Sequence, residues 1–407
     1  MPQRIWLVSE LYYPEETSTG YYITKIAEGL ADSFEVHVLC GQPTYSARGL
    51  RAPRQELHKG VHIERCAGTT LDKNVLFFRL VNIITLSLSI FFRAIFQFKR
   101  GDQVMVVTTP PSLPFIVAAA SRLRGAKYLL LIHDNYPEIL IAAQKVRADA
   151  ALVRVMNWMN RRLYKGASRI IVVGRDMKKL VTAKLNGDAA RIVTIPNWAE
   201  LERVDPAPRA ANALLTELGL SDKFVLLYAG NMGYPNDLES IVWCAEKLLD
   251  KEKFHFLFIG SGVKKRWLEG VIKKNGLSNI TVLPPRPRDD QTNFLNACDI
   301  AVISFVDKML GVSMPSRTYN TLAAGKPMIG IADPNSELAT VIEEEKVGWV
   351  VPPAEADKLL AAILAAESQP QLLGEMGTRA RAAAEKKYSL DKAVADYRAV
   401  FDTRDGR

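Results

Sequence analysis

The sequence predicts two successive doubly wound α/β domains. Three observations carry this expectation. Apolar runs of strand length alternate with helical patterns, the series restarts after a charged, proline-bearing stretch, and 407 residues are enough for two cores.

The first series of strands is Ile5–Val8, Val36–Leu39, Val104–Val107, Tyr128–Ile132 and Ile170–Val173. Apart from His37 these runs are continuously apolar rather than alternating, as strands are when both sheet faces are covered. Helical patterns such as Tyr22–Ala31 and Leu113–Leu123 lie between them. The stretch Trp198–Asp222, with Pro206 and Pro208, reads as a linker. The second series is Phe224–Tyr228, Phe256–Ile259, Ile280–Leu283, Ile300–Ile303 and Met328–Ile331. Leu372 to Phe401 is helical in pattern, with a break at Tyr388–Leu390. The expected domains are therefore 1–200 and 201–380, with 381–407 a C-terminal helix packing back on the first. In such domains ligands bind at the carboxyl ends of the strands.

The composition, 48% hydrophobic and 24% charged, is that of a soluble globular protein. The net charge of +9 is uneven: residues 1–200 hold 27 basic against 16 acidic side chains, and residues 201–407 hold 26 against 28. The basic first half either favours an anionic partner or serves solubility alone. Four cysteines form no CxxC pair, and the five histidines show no ligand spacing with them. No metal, cofactor or disulfide framework is expected. The opening MPQRIWLVSE reads as a first strand rather than a signal peptide, so a cytoplasmic location is expected.

Residues 75–98 raise the question of a membrane. Their longest uncharged run, Leu80 to Phe92, has 13 residues, short of the ~20 that a spanning helix needs. Phe77, Phe78, Phe91, Phe92, Phe96 and Phe98 are surrounded by Lys73, Arg79, Arg93, Lys99 and Arg100. A basic, Phe-rich helix of this kind lies in a bilayer interface. The competing reading is a core helix with surface arginines. The expected membrane contacts are Phe77, Phe78, Arg79, Phe91, Phe92 and Arg93.

Two glycine loops follow strands of the second series: Gly230-Asn-Met-Gly233, and Gly260-Ser-Gly262 with Lys264 and Lys265 after it. Glycine lets backbone N–H groups approach a phosphate, although any βα turn favours it. Neither loop is a GxGxxG or Walker motif, which argues against a dinucleotide dehydrogenase or a P-loop kinase. The segment Gly311-Val-Ser-Met-Pro-Ser-Arg-Thr-Tyr-Asn-Thr-Leu-Ala-Ala-Gly-Lys-Pro-Met-Ile is more informative. Pro315-Ser316 marks a helix start with Ser316 as N-cap, so the N–H groups of Arg317 and Thr318 would point outward as an anion site. A cap alone accounts for the same two residues.

At this point a family resemblance appears. Pro315-Ser-Arg-Thr-Tyr-Asn-Thr-Leu-Ala-Ala-Gly-Lys-Pro resembles the PS[KR]xYxxxAAGKP signature of retaining GT-B glycosyltransferases, family 4. The subgroup it resembles is the WbuB/WcaI-like one of O-antigen and colanic acid assembly. Further matching segments are Glu10-Leu-Tyr-Tyr-Pro-Glu-Glu-Thr-Ser-Thr-Gly20, His133-Asp-Asn-Tyr-Pro-Glu138, Ile195-Pro-Asn-Trp198, Tyr228-Ala-Gly-Asn-Met-Gly233 and Leu283-Pro-Pro-Arg-Pro-Arg288.

The resemblance implies two Rossmann-like domains facing a central cleft. It also implies a nucleotide-sugar donor, UDP by likeness, retention at the anomeric carbon, and no metal. By the same likeness Gly20, in a turn permitting φ > 0, together with Gly233, Lys265, Ser316, Arg317 and Thr318, would hold the donor diphosphate. Gly260, Arg286 and Asn320 would hold the nucleoside. His133 and Asp134 would be catalytic, meeting the transferred sugar and the acceptor hydroxyl. The chain departs from the family's Glu-x7-Glu pattern, having Val312 and Asn320 at the aligned positions. The usual Arg and Lys of the first C-domain loop are also missing from Gly230–Leu238, leaving Lys265, Arg286, Arg288 or Arg317 to supply positive charge.

The expected acceptor is a polyprenyl-diphosphate-linked saccharide at the inner membrane face. No nucleic-acid motif is present. A nucleotide-sugar 2-epimerase and a non-catalytic partner of another transferase are the alternatives.

Overall fold

The computed structural model describes residues 2–44, 51–71 and 75–402, without the side chain of Leu76. Lys73 lies outside the described residues. The chain divides into two compact units: Met1–Pro137 with Asp149–Pro196 and Leu390–Arg407, and Glu138–Ala148 with Asn197–Ser389.

The first part of the chain forms β1 (Arg4–Val8), α1 (Ser18–Leu30), β2 (Glu35–Cys40), β3 (Gln55–His58), β4 (Val61–Arg65), α2 (Leu76–Gln97), β5 (Gln103–Val107), α3 (Leu113–Arg124) and β6 (Lys127–Ile132). After α4 (Glu138–Ala142), which counts with the second unit, come α5 (Ala151–Gly166), β7 (Arg169–Val172), α6 (Arg175–Lys184) and β8 (Ile192–Thr194). The strands make one sheet in the order β3-β4-β2-β1-β5-β6-β7-β8. All neighbours are parallel except β3 and β4, which form a hairpin. The hairpin turns at Lys59 and Gly60, with φ of 47° and 78°, the positive values that a tight two-residue turn requires.

The second series is α7 (Ala213–Glu217), β9 (Phe224–Ala229), α8 (Glu239–Lys247), β10 (Phe254–Ile259), α9 (Lys265–Asn275), β11 (Ile280–Leu283), α10 (Gln291–Asn296) and β12 (Ile300–Ser304). It continues with α11 (Arg317–Ala323), β13 (Met328–Ile331), α12 (Glu337–Glu345), β14 (Gly348–Val351), α13 (Ala356–Glu367) and α14 (Pro370–Lys387). Its six strands are parallel, in the order β11-β10-β9-β12-β13-β14. The order in which the chain adds strands changes side between β9 and β12, and in the first unit between β1 and β5, while the strands themselves stay parallel. Those changes of side are the switch points at which such sheets bind ligands.

The chain breaks at Tyr388–Ser389, and α15 (Leu390–Asp402) belongs to the first unit, where it packs on α1. Val394, Tyr397, Val400 and Phe401 are buried there.

The right-handed crossovers β4–α2–β5, β5–α3–β6 and β6–α5–β7 put α2, α3 and α5 on one face of the first sheet. In keeping with this, α2 packs on α3 and α3 on α5. Helix α2 runs unbroken for 22 residues, and Phe77–Gln97 is long and apolar enough, by length and composition, to cross a membrane. This differs from the expectation of too short a run, because a helix spans its charged residues where a count of uncharged ones stops. One side of α2 is nonetheless committed to the domain. Leu86, Ile90 and Ala94 are buried, and Asn82 bonds Thr69 Oγ1 at 2.7 Å and the Leu71 backbone. The opposite side exposes Phe77, Phe78, Leu80, Ile84, Leu88, Phe92 and Phe96. Phe98 is no part of that stripe; it is buried beside Trp6, with ring centroids 5.3 Å apart. Phe91 is half-buried, and Arg93 turns back to pair with Glu64 at 3.1 Å.

Candidate functional site

Each unit carries its own half of the predicted site at the carboxyl ends of its strands.

In the first unit, β6 delivers His133 and Asp134, and β5 delivers Thr108 beside them. The His133 N–H donates to Thr108 Oγ1 at 3.3 Å, and that hydroxyl donates on to the Asp134 carbonyl at 3.4 Å. The loop is held from two further elements. Asn160 Nδ2 of α5 and Lys184 Nζ of α6 both donate to the Tyr136 carbonyl, at 2.7 and 3.0 Å. His133 Nε2 is buried without a hydrogen-bond partner. Burial pulls this imidazole down to about 4, so it is neutral at pH 7. Burial also pushes the Asp134 carboxyl up to about 6, in the range where a carboxylate accepts a proton effectively near neutrality. A cavity of about 340 Å³ opens beside Asp134, between α3 and α5.

In the second unit, Arg317 of α11 reaches across the switch point to the end of β9. It donates to the Ala229 carbonyl at 3.4 Å and to Asn236 Oδ1 at 2.8 Å, and it lies 4.6 Å over the Tyr228 ring. The loops after β9 and β10 pack on one another. Gly260 has φ +149°, and a Cβ there would lie 2.0 Å from the Gly230 carbonyl oxygen. Gly262 approaches Met232 in the same way. Gly260 is thus needed for contact between the two loops, before any ligand is considered. Gly233 has an ordinary φ, and its carbonyl accepts the Asn236 N–H at 3.1 Å.

Several predicted residues differ from expectation. Gly20 is not in a turn with φ > 0. It sits in the first turn of α1, where its N–H donates to the N-cap Thr17 at 3.3 Å. Glycine is needed there because a Cβ would meet the Glu15 carbonyl at 2.6 Å. Ser316 has helical dihedrals and makes no side-chain cap. The Thr318 N–H therefore does not point outward; it donates to the Pro315 carbonyl at 3.1 Å. The Arg317 N–H has no partner among the described residues, and the buried Thr318 hydroxyl has none either.

Asn320 is not available as a ribose donor. Its Nδ2 gives both hydrogens away, to Glu200 and Gln291 at 2.6 Å each, and its Oδ1 accepts the Glu200 N–H at 3.0 Å. Glu200 is buried and also binds Arg288 at 2.9 Å. Arg286 is paired with Asp290, and Lys265 stands 3.8 Å from Glu269. Val312, at the aligned position of the missing carboxylate, is buried. Among the described residues, no three His, Cys, Asp or Glu side chains gather as a metal site would require.

Sequence reasoning missed Thr108, Asn160, Lys184 and Glu200. All four act through contacts distant in sequence. Only Glu200 lay in a segment already singled out, where it read as one charge of a linker.

Comparison with known proteins fits this geometry. Residues 18–198 match the model of the glycosyl transferase 4-like domain, and residues 215–383 match that of glycosyl transferases group 1. The chain belongs to the GT-B glycosyltransferases of family 4 and is a transferase. It is 29% identical over 406 residues to WbjE of Pseudomonas aeruginosa, named as a probable glycosyltransferase, covering 98% of each chain. It is 27% identical to WcaI of Escherichia coli K12, named for colanic acid biosynthesis, over 94% of this chain and 95% of that one. Among solved structures, sucrose-phosphate synthase from Thermosynechococcus elongatus superposes with a TM-score of 0.77 at 16% identity, covering 98% of this chain and 99% of that one. Anabaena HepE in complex with UDP and glucose gives 0.75 at 13% identity, with the same coverage. At these identities the structural likeness speaks for the fold alone.

Proposed function

We propose that this chain is a retaining glycosyltransferase of surface-polysaccharide assembly. Its donor is a UDP-linked hexose, N-acetylated or deoxygenated. Its acceptor is a polyprenyl-diphosphate-linked saccharide at the inner face of the cell membrane. The observation that carries the reading is Arg317. It sets a guanidinium at the switch point of the second sheet, beside the Gly230 loop. As the glycosidic bond breaks, charge builds on the departing diphosphate, and a cation fixed in place stabilises that charge without reorganising. Asp134 receives the proton of the acceptor hydroxyl. The UDP choice is supported by HepE, solved with UDP and with UDP-glucose. The membrane choice is supported by the exposed apolar stripe of α2 with Arg79 at its rim.

Thermal shift with UDP, GDP and their sugars tests the donor, followed by turnover on a lipid-linked acceptor. UDP is expected to raise the melting temperature of the wild type and not that of Arg317→Ala. Absence of a shift with any nucleotide sinks the reading. Release of an epimer from the UDP-sugar without acceptor makes the protein an isomerase instead.

A further inference from the structure

The cavity beside Asp134 belongs entirely to the first unit and is not needed to hold a nucleotide. Phe115 and Ile116 of α3 and Met156, Met159 and Leu163 of α5 form the apolar side of its wall. Polar side chains also border it, yet most are already engaged within the protein. Thr108 is tied to the His133–Asp134 backbone, Ser112 Oγ lies 3.0 Å from Ser87 Oγ, and Asn160 Nδ2 is held by the Tyr136 carbonyl. The Asp134 carboxylate, by contrast, has no side-chain partner among the described residues.

A ligand here gains by setting an apolar group against that wall and by offering a hydrogen-bond donor to Asp134. A fully hydroxylated sugar makes only the second of these gains. Each hydroxyl set against Ile116, Met156 or Leu163 would give up water and gain nothing, the costly side of hydrogen-bond exchange. A methyl or acetamido methyl at the same place loses nothing and buries apolar surface. The volume, about 340 Å³, is at the small end of the range of ligand pockets.

We propose that this cavity is the acceptor-sugar subsite, and that it selects a sugar carrying a methyl-bearing substituent, deoxygenated or N-acylated, which seats that methyl on the apolar wall and presents one of its free hydroxyls to Asp134. The inference rests on the transferase reading above and adds the chemical class of the acceptor's terminal residue. The wall of α3 and α5 sets the selectivity, and Asp134 fixes which hydroxyl reacts.

Saturation-transfer NMR on the full chain tests this with simple glycosides. Methyl α-fucoside is compared with methyl α-galactoside, which differs by the 6-hydroxyl, and methyl N-acetylglucosaminide with methyl glucoside. The wild type is expected to bind at least one of the substituted sugars roughly tenfold more tightly than its parent. Met156→Gln keeps the shape and makes the wall polar, and should bring that preference to within about twofold. Ile116→Asn repeats the test from α3 in case the first variant folds poorly. Asp134→Asn should weaken both sugars of a pair equally. Equal affinity within both pairs in the wild type overturns the proposal, as does a preference unchanged in a folded wall variant. The UDP shift measured on the same samples reports on the donor site. Absence of a shift with any nucleotide while the sugar preference is intact sinks the transferase reading, and the cavity is then a sugar-binding site without an acceptor role.

Discussion

Gly260 shows how a single residue can be fixed by its neighbours rather than by a ligand. Its φ of +149° disfavours any side chain, and the Gly230 carbonyl fills the space where a Cβ would go. Gly260→Ala should therefore cost on the order of 3 kcal/mol in urea unfolding, since strain and displacement of a backbone add. Gly270, inside α9 with open space around its Cβ position, is the opposite case. Gly270→Ala should gain about 0.5–1 kcal/mol. If the two alanines behave alike, the loop contact is not what requires glycine. His133 and Asp134 make a second residue-level case, through pH. The carboxyl is raised to about 6 in the folded chain, so between its unfolded value near 4 and pH 6 the folded state holds more protons, and stability falls as pH rises. The imidazole is lowered to about 4, so over pH 4 to 6.5 the unfolded state holds more protons, and stability rises with pH. The two slopes oppose each other in the wild type. Asp134→Asn removes the falling one, and its melting temperature should climb more steeply than that of the wild type from pH 4 to 6.

At the scale of elements, helix α11 is tied to the strand-free segment before α7 through Glu200, Asn320, Gln291 and Arg288. Removing the carboxylate leaves a guanidinium and two amides short of a partner in a buried place. Glu200→Ala should thus cost about 3 kcal/mol, measured by denaturant unfolding, whereas Glu202→Ala on the exposed side of the same turn should cost under about 0.5. A small effect at Glu200 would mean that water replaces it readily. The same network marks the limit of what could be read in the sequence. Continuous apolar runs identified ten strands because a strand covered on both faces leaves a local mark. The hairpin β3–β4 left none: Gln-Glu-Leu-His is polar, and its turn is Lys59-Gly60 rather than Asn-Gly. Strand β8, at three residues, is too short for a pattern. In the same way the Pro315–Arg317 start was visible, while the consumption of the Asn320 amide was not. Its partner Glu200 is 120 positions away, and nothing local announces the pairing.

On the scale of the whole molecule, the chain does not end in the unit it has just built. After α14 completes its packing on α11, α15 crosses to the first unit. There Phe401 lies against Phe34 at 5.9 Å, its carbonyl accepts Gln103 Nε2 at 2.8 Å, and Val394 fills the space above Gly29. A residue near position 400 is thus part of the core begun by the first strands, so that core needs α15 as well as β1 to β8. Phe401→Ala should remove about 3–5 kcal/mol from that core, as truncation of a buried aromatic does. Two units with separate cores can unfold separately, and calorimetry should then show one transition moved down by several degrees and the other unmoved. Limited proteolysis on warming should cut Phe401→Ala first between residues 1 and 196, and leave a fragment containing 197–389. If both transitions fall together, or the early cuts lie between 197 and 389, then Phe401 stabilises the molecule as one cooperative body, and α15 is a strap for both units rather than the last element of the first.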